Sequence, residues 1–208
     1  MNIVIFGASG KTGQHVVRQA LASGHTITAF CRTTAKLPLS DTGLYIIQGD
    51  ATNYPAVYAA VSSQDGVIVT LGAARPTIFD QSVVEAMANI VKAMEASRVH
   101  RLVYMSAINV AASRPQAGLL VRFAATTALK SETKGHEERE KIVHQSNLDW
   151  TIVRPGKLSN GPHRAYRIGE DIRAKGLFAG ISRTDVADFL VKQAADKTFL
   201  HKHPVIMY

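Results

Sequence analysis

At 208 residues, 46% of them apolar and 19% charged, the chain is long enough for one well-cored domain, short for two, and too apolar to be disordered. Its single cysteine, Cys31, excludes an intramolecular disulfide framework and a thiolate-rich zinc site. The formal charge of +8 is concentrated in the second half, with seven basic against six acidic residues up to position 100 and seventeen against ten beyond it. No run of consecutive Lys/Arg and no aromatic-interleaved basic motif accompanies this excess, so a solvated surface or an anionic small ligand is expected rather than nucleic acid.

The opening residues, Met1 to Gly7, show no basic leader region and no cleavage site. No apolar run approaches the roughly 18 residues of a membrane span. A cytoplasmic protein that does not enter a membrane is expected.

Ile3–Phe6 is a short apolar run closed by glycines, which predicts a buried strand. Val16, Val17, Ala20 and Leu21 then recur at helical spacing until Ser23-Gly24. Thr26–Cys31 and Leu44–Ile47 predict two further strands, Pro55–Val61 a short helix with proline in its first turn, and Gly66–Thr70 another buried strand. Gln81–Ser97 predicts a long helix with Val84, Met87, Ala88, Val91 and Met94 on one face, followed by a strand over Leu102–Met105. The stretch 107–128 reads as a long loop with some helix, Glu132–Ser146 as a strongly charged helix, and Leu148–Arg154 as a strand ended by Pro155-Gly156. Asn160–Gly180 reads as loops and short strands. A last helix opens near Thr184, read as its N-cap ahead of Asp185, and Val205–Met207 closes the sequence as a strand.

There is no internal repeat or low-complexity segment. Continuous apolar strands alternating with helices predict an α/β fold over 1–208, a single doubly wound Rossmann domain with a central parallel sheet. In such folds ligands bind beyond the carboxyl ends of the strands, so the residues following each strand carry the functional reading.

After the first strand comes Gly7-Ala8-Ser9-Gly10-Lys11-Thr12-Gly13. A glycine-rich turn between strand and helix lets backbone N–H groups approach a pyrophosphate at the positive end of the helix dipole. No Gly-Lys-Ser/Thr closes a four-residue gap after the first glycine, which excludes a Walker A loop. An NAD site would place an acid about 20 residues on, yet none occurs between Gly13 and Asp41. The second strand ends instead in Cys31-Arg32, with Lys36 nearby, and an arginine fork suits an adenosine 2′-phosphate. NADP(H) is therefore expected over NAD(H). Asp50-Ala51 offers a carboxylate and an N–H to an adenine edge, or a turn cap, and Leu71-Gly72 offers small residues beside a ribose.

Together IFGASGKTG, FCRTTAKLP, QGDATN, VIVTLGA, YMSA, WTIVRPG and ISRTDVADFL resemble the NmrA-like branch of the atypical short-chain dehydrogenase/reductases. Within that branch they are most similar to the biliverdin-IXβ reductase, or flavin reductase, family. The resemblance implies NADPH and hydride transfer to a flavin, an open tetrapyrrole or a comparable conjugated acceptor such as a quinone. It puts Gly7, Ser9, Gly10, Lys11, Thr12 and Gly13 on the phosphates, Arg32 on the 2′-phosphate, Asp50 on the adenine and Leu71-Gly72 on the ribose. It also puts Ser106, Pro155 and Gly156 near the nicotinamide, with Ser106 as the candidate catalytic hydroxyl.

The usual Tyr-x-x-x-Lys pair of these reductases is missing; Thr126 and Lys130 keep only its spacing. A threonine is far less acidic than a phenol, so a conjugated acceptor that needs little proton assistance is favoured. Arg114, Arg122, Phe123, His163 and Arg164 fall on segments at 107–130 and 157–180 that are expected to face the acceptor. His136 and His144 are expected at the surface of the charged helix, and His201 and His203 in an exposed tail, with no metal bound. No G-x-S-x-G elbow surrounds Ser106, which argues against a hydrolase. The same branch includes dinucleotide-binding redox sensors without catalysis, which stand as the alternative.

Overall fold

The computed structural model describes residues 1–37, 39–73, 77–110, 113–176 and 180–208. Parts of the two expected acceptor-facing segments, 111–112 and 177–179, lie outside the described residues, as does the Lys36 side chain.

In chain order the elements are β1 (Asn2–Phe6), α1 (Gly13–Ala22), β2 (Thr26–Cys31), β3 (Leu44–Gln48), α2 (Tyr54–Val61), β4 (Gly66–Val69), α3 (Gln81–Ser97) and β5 (Arg101–Met105). There follow α4 (Leu119–Thr126), α5 (Lys130–His144), β6 (Asp149–Pro155), β7 (Lys157–Ser159), β8 (Arg167–Gly169), β9 (Gly180–Ser182), α6 (Arg183–Ala195) and β10 (Val205–Met207). Eight strands form one sheet in the order β3-β2-β1-β4-β5-β6-β10-β8, parallel throughout except for β8, which runs antiparallel to β10 at the edge. This is the doubly wound α/β fold, with β7 and β9 forming a separate parallel pair.

Strand alternation divides the core between two layers. Val4, Phe6, Val67 and Val69 face α2, α3 and α5, whereas Ile3, Ile5, Ile27 and Ile68 face α1 and α6. The central strands β1 and β4 are apolar on both faces because both are covered, whereas the edge strand β3 is largely exposed. The strand order reverses between β1 and β4, which opens a crevice between the loops that follow them.

The structure corrects some local expectations. The cap of α6 is Ser182, whose Oγ accepts from the Asp185 N–H at 3.1 Å, and Thr184 already lies inside the helix. Helix α5 starts at Lys130 rather than Glu132 and ends at His144. Asn53 caps α2 through its side-chain oxygen, so that helix begins one residue before Pro55.

Candidate functional site

The glycine loop after β1 is shaped by close backbone approach. Gly7 has φ +85°, and a Cβ there would meet the Thr70 backbone at 2.9 Å. A Cβ on Gly13 would lie 2.1 Å from the Gly7 carbonyl oxygen. Only glycine fits either position, and the result is a tight turn in which the Gly10 N–H donates to Gly7 O at 2.9 Å. The first turn of α1 holds no acid, and its N-cap Thr12 makes no capping hydrogen bond. The positive end of the helix dipole is thus uncompensated toward the loop.

A cleft open to solvent lies over this loop. It is lined by Gly7, Ser9, Gly10, Arg32, Asp50, Ala51, Leu71 and Gly72, together with residues that sequence reasoning missed: Phe30, Cys31, Gly49, Thr70 and the start of α3 at Asp80, Ser82, Val83 and Ala86. The α3 start was legible as an Asp-x-Ser helix cap; Asp80 Oδ1 accepts from the Ser82 N–H and hydroxyl at 3.1 and 2.6 Å. Arg32 is exposed at the mouth and makes no ion pair among the described residues. Asp50 Oδ1 accepts from the Thr52 N–H and hydroxyl, both at 2.9 Å, and these bonds hold its carboxyl below the usual value. Lys11 is exposed, while Thr12 and Gly13 are buried beneath the loop rather than lining the cleft.

The cradle that a Cβ would fill, the open helix end and the exposed Arg32 fit a phosphorylated dinucleotide.

Ser106, Pro155 and Gly156 come together at the neighbouring carboxyl ends of β5 and β6. The Ser106 N–H donates to Val153 O at 2.8 Å, and the Ile108 N–H donates to Pro155 O at 3.1 Å. Behind them lies a buried polar network. The Ser106 hydroxyl donates to Glu140 Oε1 at 2.6 Å, and the same carboxylate receives Arg154 through Nε at 3.1 Å and Nη2 at 2.6 Å. Burial raises the Glu140 carboxyl, but Arg154 and Ser106 outweigh it and hold the group below its usual value. The Ser106 proton is thus committed to an ionised carboxylate, a partner that the expectation of a free catalytic hydroxyl did not include.

His136 is the second correction. It is buried, not on the surface, with Nδ1 at 2.9 Å from the Tyr104 hydroxyl and Nε2 at 3.5 Å from Glu132 Oε1. Burial, then the Arg139 cation, keep this imidazole below its usual value against the opposing pull of Glu132. The neutral tautomer that satisfies the network carries its proton on Nε2, toward Glu132, and accepts from Tyr104 at Nδ1. Glu132 in turn accepts from the Ala73 N–H, and Arg139 Nη1 donates to Leu71 O at 3.2 Å, so α5 supports the loop after β4.

Glu132, His136, Glu140 and His144 recur every four residues along α5. That stripe on a helix with hardly any apolar residues was the available signal for a buried polar face. The Thr126 and Lys130 spacing has no such role: both side chains are exposed, and Thr126 Oγ1 donates to Phe123 O at 2.9 Å.

The expected acceptor residues are scattered. Arg122 and Phe123 are exposed on α4, with Phe123 69% exposed beside Leu119 at 66%. Arg114 Nη2 pairs with Glu137 Oε1 at 3.3 Å, and its Nε donates to Asn109 O at 3.2 Å. His163 Nδ1 lies 2.6 Å from the buried Asp185, which also accepts from the Arg164 N–H. These two side chains pin loops, leaving Arg122 and Phe123 as the more open pair.

The fold, the switch-point cleft and the glycine cradle define a Rossmann-type dinucleotide-binding protein. The chain matches the NAD(P)H-binding family over residues 7–197 and belongs to it. It is 30% identical to an uncharacterized chloroplastic protein of Arabidopsis thaliana, over 91% of this chain and 70% of that one. It is 29% identical to an uncharacterized sugar epimerase of Bacillus subtilis, over 95% and 89%. A phenylcoumaran benzylic ether reductase of Ginkgo biloba is 28% identical over 96% and 67%. Among solved structures, a short-chain dehydrogenase/reductase from Veillonella parvula in complex with NADP superposes with a TM-score of 0.80 at 24% identity, covering 100% of this chain and 94% of that one. Reductases are among the proteins this NAD(P)H-binding chain is similar to. No helix among the described residues is long and apolar enough to cross a membrane.

Proposed function

We propose that the protein is an NADPH-dependent reductase acting on a conjugated small-molecule acceptor such as a flavin, a biliverdin-type tetrapyrrole or a quinone. The observation that carries this reading is that, among the described residues, no activated acid stands at the carboxyl ends of β5 and β6. Tyr104 is fully buried, and burial pushes its phenol up rather than down. The Ser106 proton is held by Glu140, and His136 is kept neutral within its own network. Such a site suits an acceptor whose π-system takes up charge without a strong proton donor.

NADPH, when bound, supplies the hydride. Gly7, Ser9 and Gly10 seat its phosphates, Arg32 selects the 2′-phosphate, and Leu71-Gly72 lies along the ribose. Ser106 positions the carboxamide or the acceptor, backed by Glu140 and Arg154. Arg122 and Phe123 supply a cation and a ring to an anionic, aromatic acceptor. The exposed apolar row of α4 also favours a second reading, an NADP(H)-binding redox sensor that presents this helix to a partner.

One assay separates the two: oxidation of NADPH and of NADH in the presence of FMN, riboflavin, biliverdin and simple quinones, with wild type and Arg32→Ala. Turnover with at least one acceptor is expected, with NADPH favoured. In Arg32→Ala, NADPH binding should weaken by about 1–3 kcal/mol, the scale of a charged hydrogen bond, with NADH unchanged. NADPH binding without turnover on any acceptor would establish the sensor reading, and equal affinities for the two cofactors would remove the role of Arg32.

A further inference from the structure

The polar stripe of α5 continues past the network described above, away from the cofactor loops. Its last member, His144, ends the helix, and its ring Nε2 lies 2.7 Å from the Nε2 of His203. His203 sits two residues before β10, in a segment fixed on both sides. The Ile152 N–H donates to Lys202 O at 3.1 Å, the Arg154 N–H donates to Pro204 O at 2.9 Å, and the His203 N–H donates to Glu170 Oε1 at 3.3 Å. A carboxylate oxygen of Glu140 completes a group of three ligand atoms, all within 4.8 Å of one another.

From this arrangement we infer a divalent transition-metal site of the Zn²⁺ class, with Glu140, His144 and His203 as its protein ligands.

Two features support it beyond proximity. First, the two imidazoles already converge through Nε2, one ring donating its proton to the lone pair of the other. A metal ion satisfies both rings once each carries its proton on Nδ1, with no net loss of protons. A tetrahedral ion bound at about 2.0–2.1 Å spaces its nitrogen ligands about 3.3 Å apart, so the rings need to open by well under 1 Å.

Second, carboxylates flank the pair: Glu140, which Arg154 binds through Nε and Nη2, and Glu170, which accepts from the His203 N–H at 3.3 Å. Two imidazoles and one carboxylate select Zn²⁺, Ni²⁺ or Co²⁺ over Mg²⁺. The exposed position of His144 leaves the fourth coordination place to solvent. The site would bind the end of α5 to the segment that enters β10.

The only tryptophan of the chain, Trp150, lies against both rings, with centroids 5.1 Å from His144 and 5.1 Å from His203. Its fluorescence therefore reports occupancy directly. The test titrates the full chain, first stripped with a chelator, with NiCl₂, ZnCl₂ and MgCl₂, using wild type, His144→Gln and His203→Gln. Ni²⁺ should quench Trp150 saturably at one ion per chain, Zn²⁺ should displace it and restore the signal, and Mg²⁺ should do neither.

Each variant should bind at least tenfold more weakly, since even a lost supporting group typically costs tenfold or more in metal affinity. Zn²⁺ should raise the melting temperature of wild type and not that of His144→Gln. His144 is exposed at a helix end, so this variant keeps the test decisive should His203→Gln fold poorly. Linear, non-saturating quenching would overturn the site, as would saturable quenching of undiminished affinity in His144→Gln.

Discussion

Gly13 offers a sharp test of the glycine cradle. A methyl group on its Cα would sit 2.1 Å from the Gly7 carbonyl oxygen and 2.9 Å from both Ala8 Cα and the Gly7 carbonyl carbon. Carbon–oxygen contacts rarely come closer than about 3.3 Å, so the backbone of the loop must retreat by about 1 Å. No flexible side-chain end is present to yield instead. Overpacking costs about 1–3 kcal/mol, and an all-backbone clash places Gly13→Ala at the upper end, about 3 kcal/mol. For a chain of this size that lowers the melting temperature by about 6–12 °C. The same retreat displaces the amides of the cradle, and losing one or two hydrogen bonds to phosphate, at about 1.5–3 kcal/mol each, weakens NADPH binding at least tenfold. Gly10→Ala is the control: its Cβ would meet only the Gly7 carbonyl oxygen, at 3.1 Å. A shift of a few tenths of an ångström relieves that contact, for less than about 1 kcal/mol. Scanning calorimetry of both variants measures the contrast in stability, and calorimetric NADPH titration of Gly13→Ala measures the loss of the cradle. Wild-type values for Gly13→Ala, or equal damage from Gly10→Ala, would refute the reasoning.

Three further outcomes are expected. Arg101→Met should destabilise the fold by about 3 kcal/mol in urea melts, because the buried guanidinium donates to Gln193 O, Asp149 O, Thr151 Oγ1 and Asp196 O and leaves them without donors when removed; a loss under about 1 kcal/mol would show that water replaces it. His136 is lowered by burial and by Arg139, so the native state holds it neutral while the unfolded chain takes up a proton below about pH 6.5. Its contribution is therefore complete above that pH and is lost as pH falls toward the folded value, and wild type should lose more stability than His136→Gln between about pH 7 and pH 5.5. Ser106→Ala should lower turnover with the best acceptor about tenfold to a hundredfold while leaving NADPH affinity near wild type; unchanged turnover would make the serine a support for Glu140 alone.

Most of the fold was legible because its strands are continuous apolar runs punctuated by glycine and proline. Thr26–Cys31, Gln81–Ser97 and Val205–Met207 keep their predicted bounds. Errors fell where a polar residue has two local uses. Thr184 reads as a cap, yet Ser182 takes the role because its hydroxyl reaches the Asp185 N–H. That Gly7, Ser9, Gly10, Arg32, Asp50, Ala51, Leu71 and Gly72 line one cleft was legible as well, since each lies within four residues of a strand's carboxyl end. The start of α3 was legible as a helix cap but not as a wall of the cleft, because no local pattern sets Asp80 beside the strand ends.

Helix α5 marks where local reading ends. Its composition looks like a solvated surface helix, and its buried face holds Thr133, Gly135, His136, Arg139, Glu140 and Val143. Burying such groups is unfavourable unless each finds a partner, and the partners come from elsewhere in the chain. Tyr104 and Ser106 lie at the end of β5, Arg154 near the end of β6, and Leu71 after β4. None is near α5 in sequence, so no window over α5 alone shows that its charges are satisfied. What the sequence does carry is the four-residue recurrence of Glu132, His136, Glu140 and His144, an arrangement that a solvated helix does not need. A helix that gives up its apolar face for this stripe holds it against the strand ends where Ser106, Pro155 and Gly156 meet. The cost of burying the stripe is offset only when those strands are in place. Formation of the polar network is thereby tied to formation of the sheet, which places Ser106 against Glu140 in the same event that completes the core.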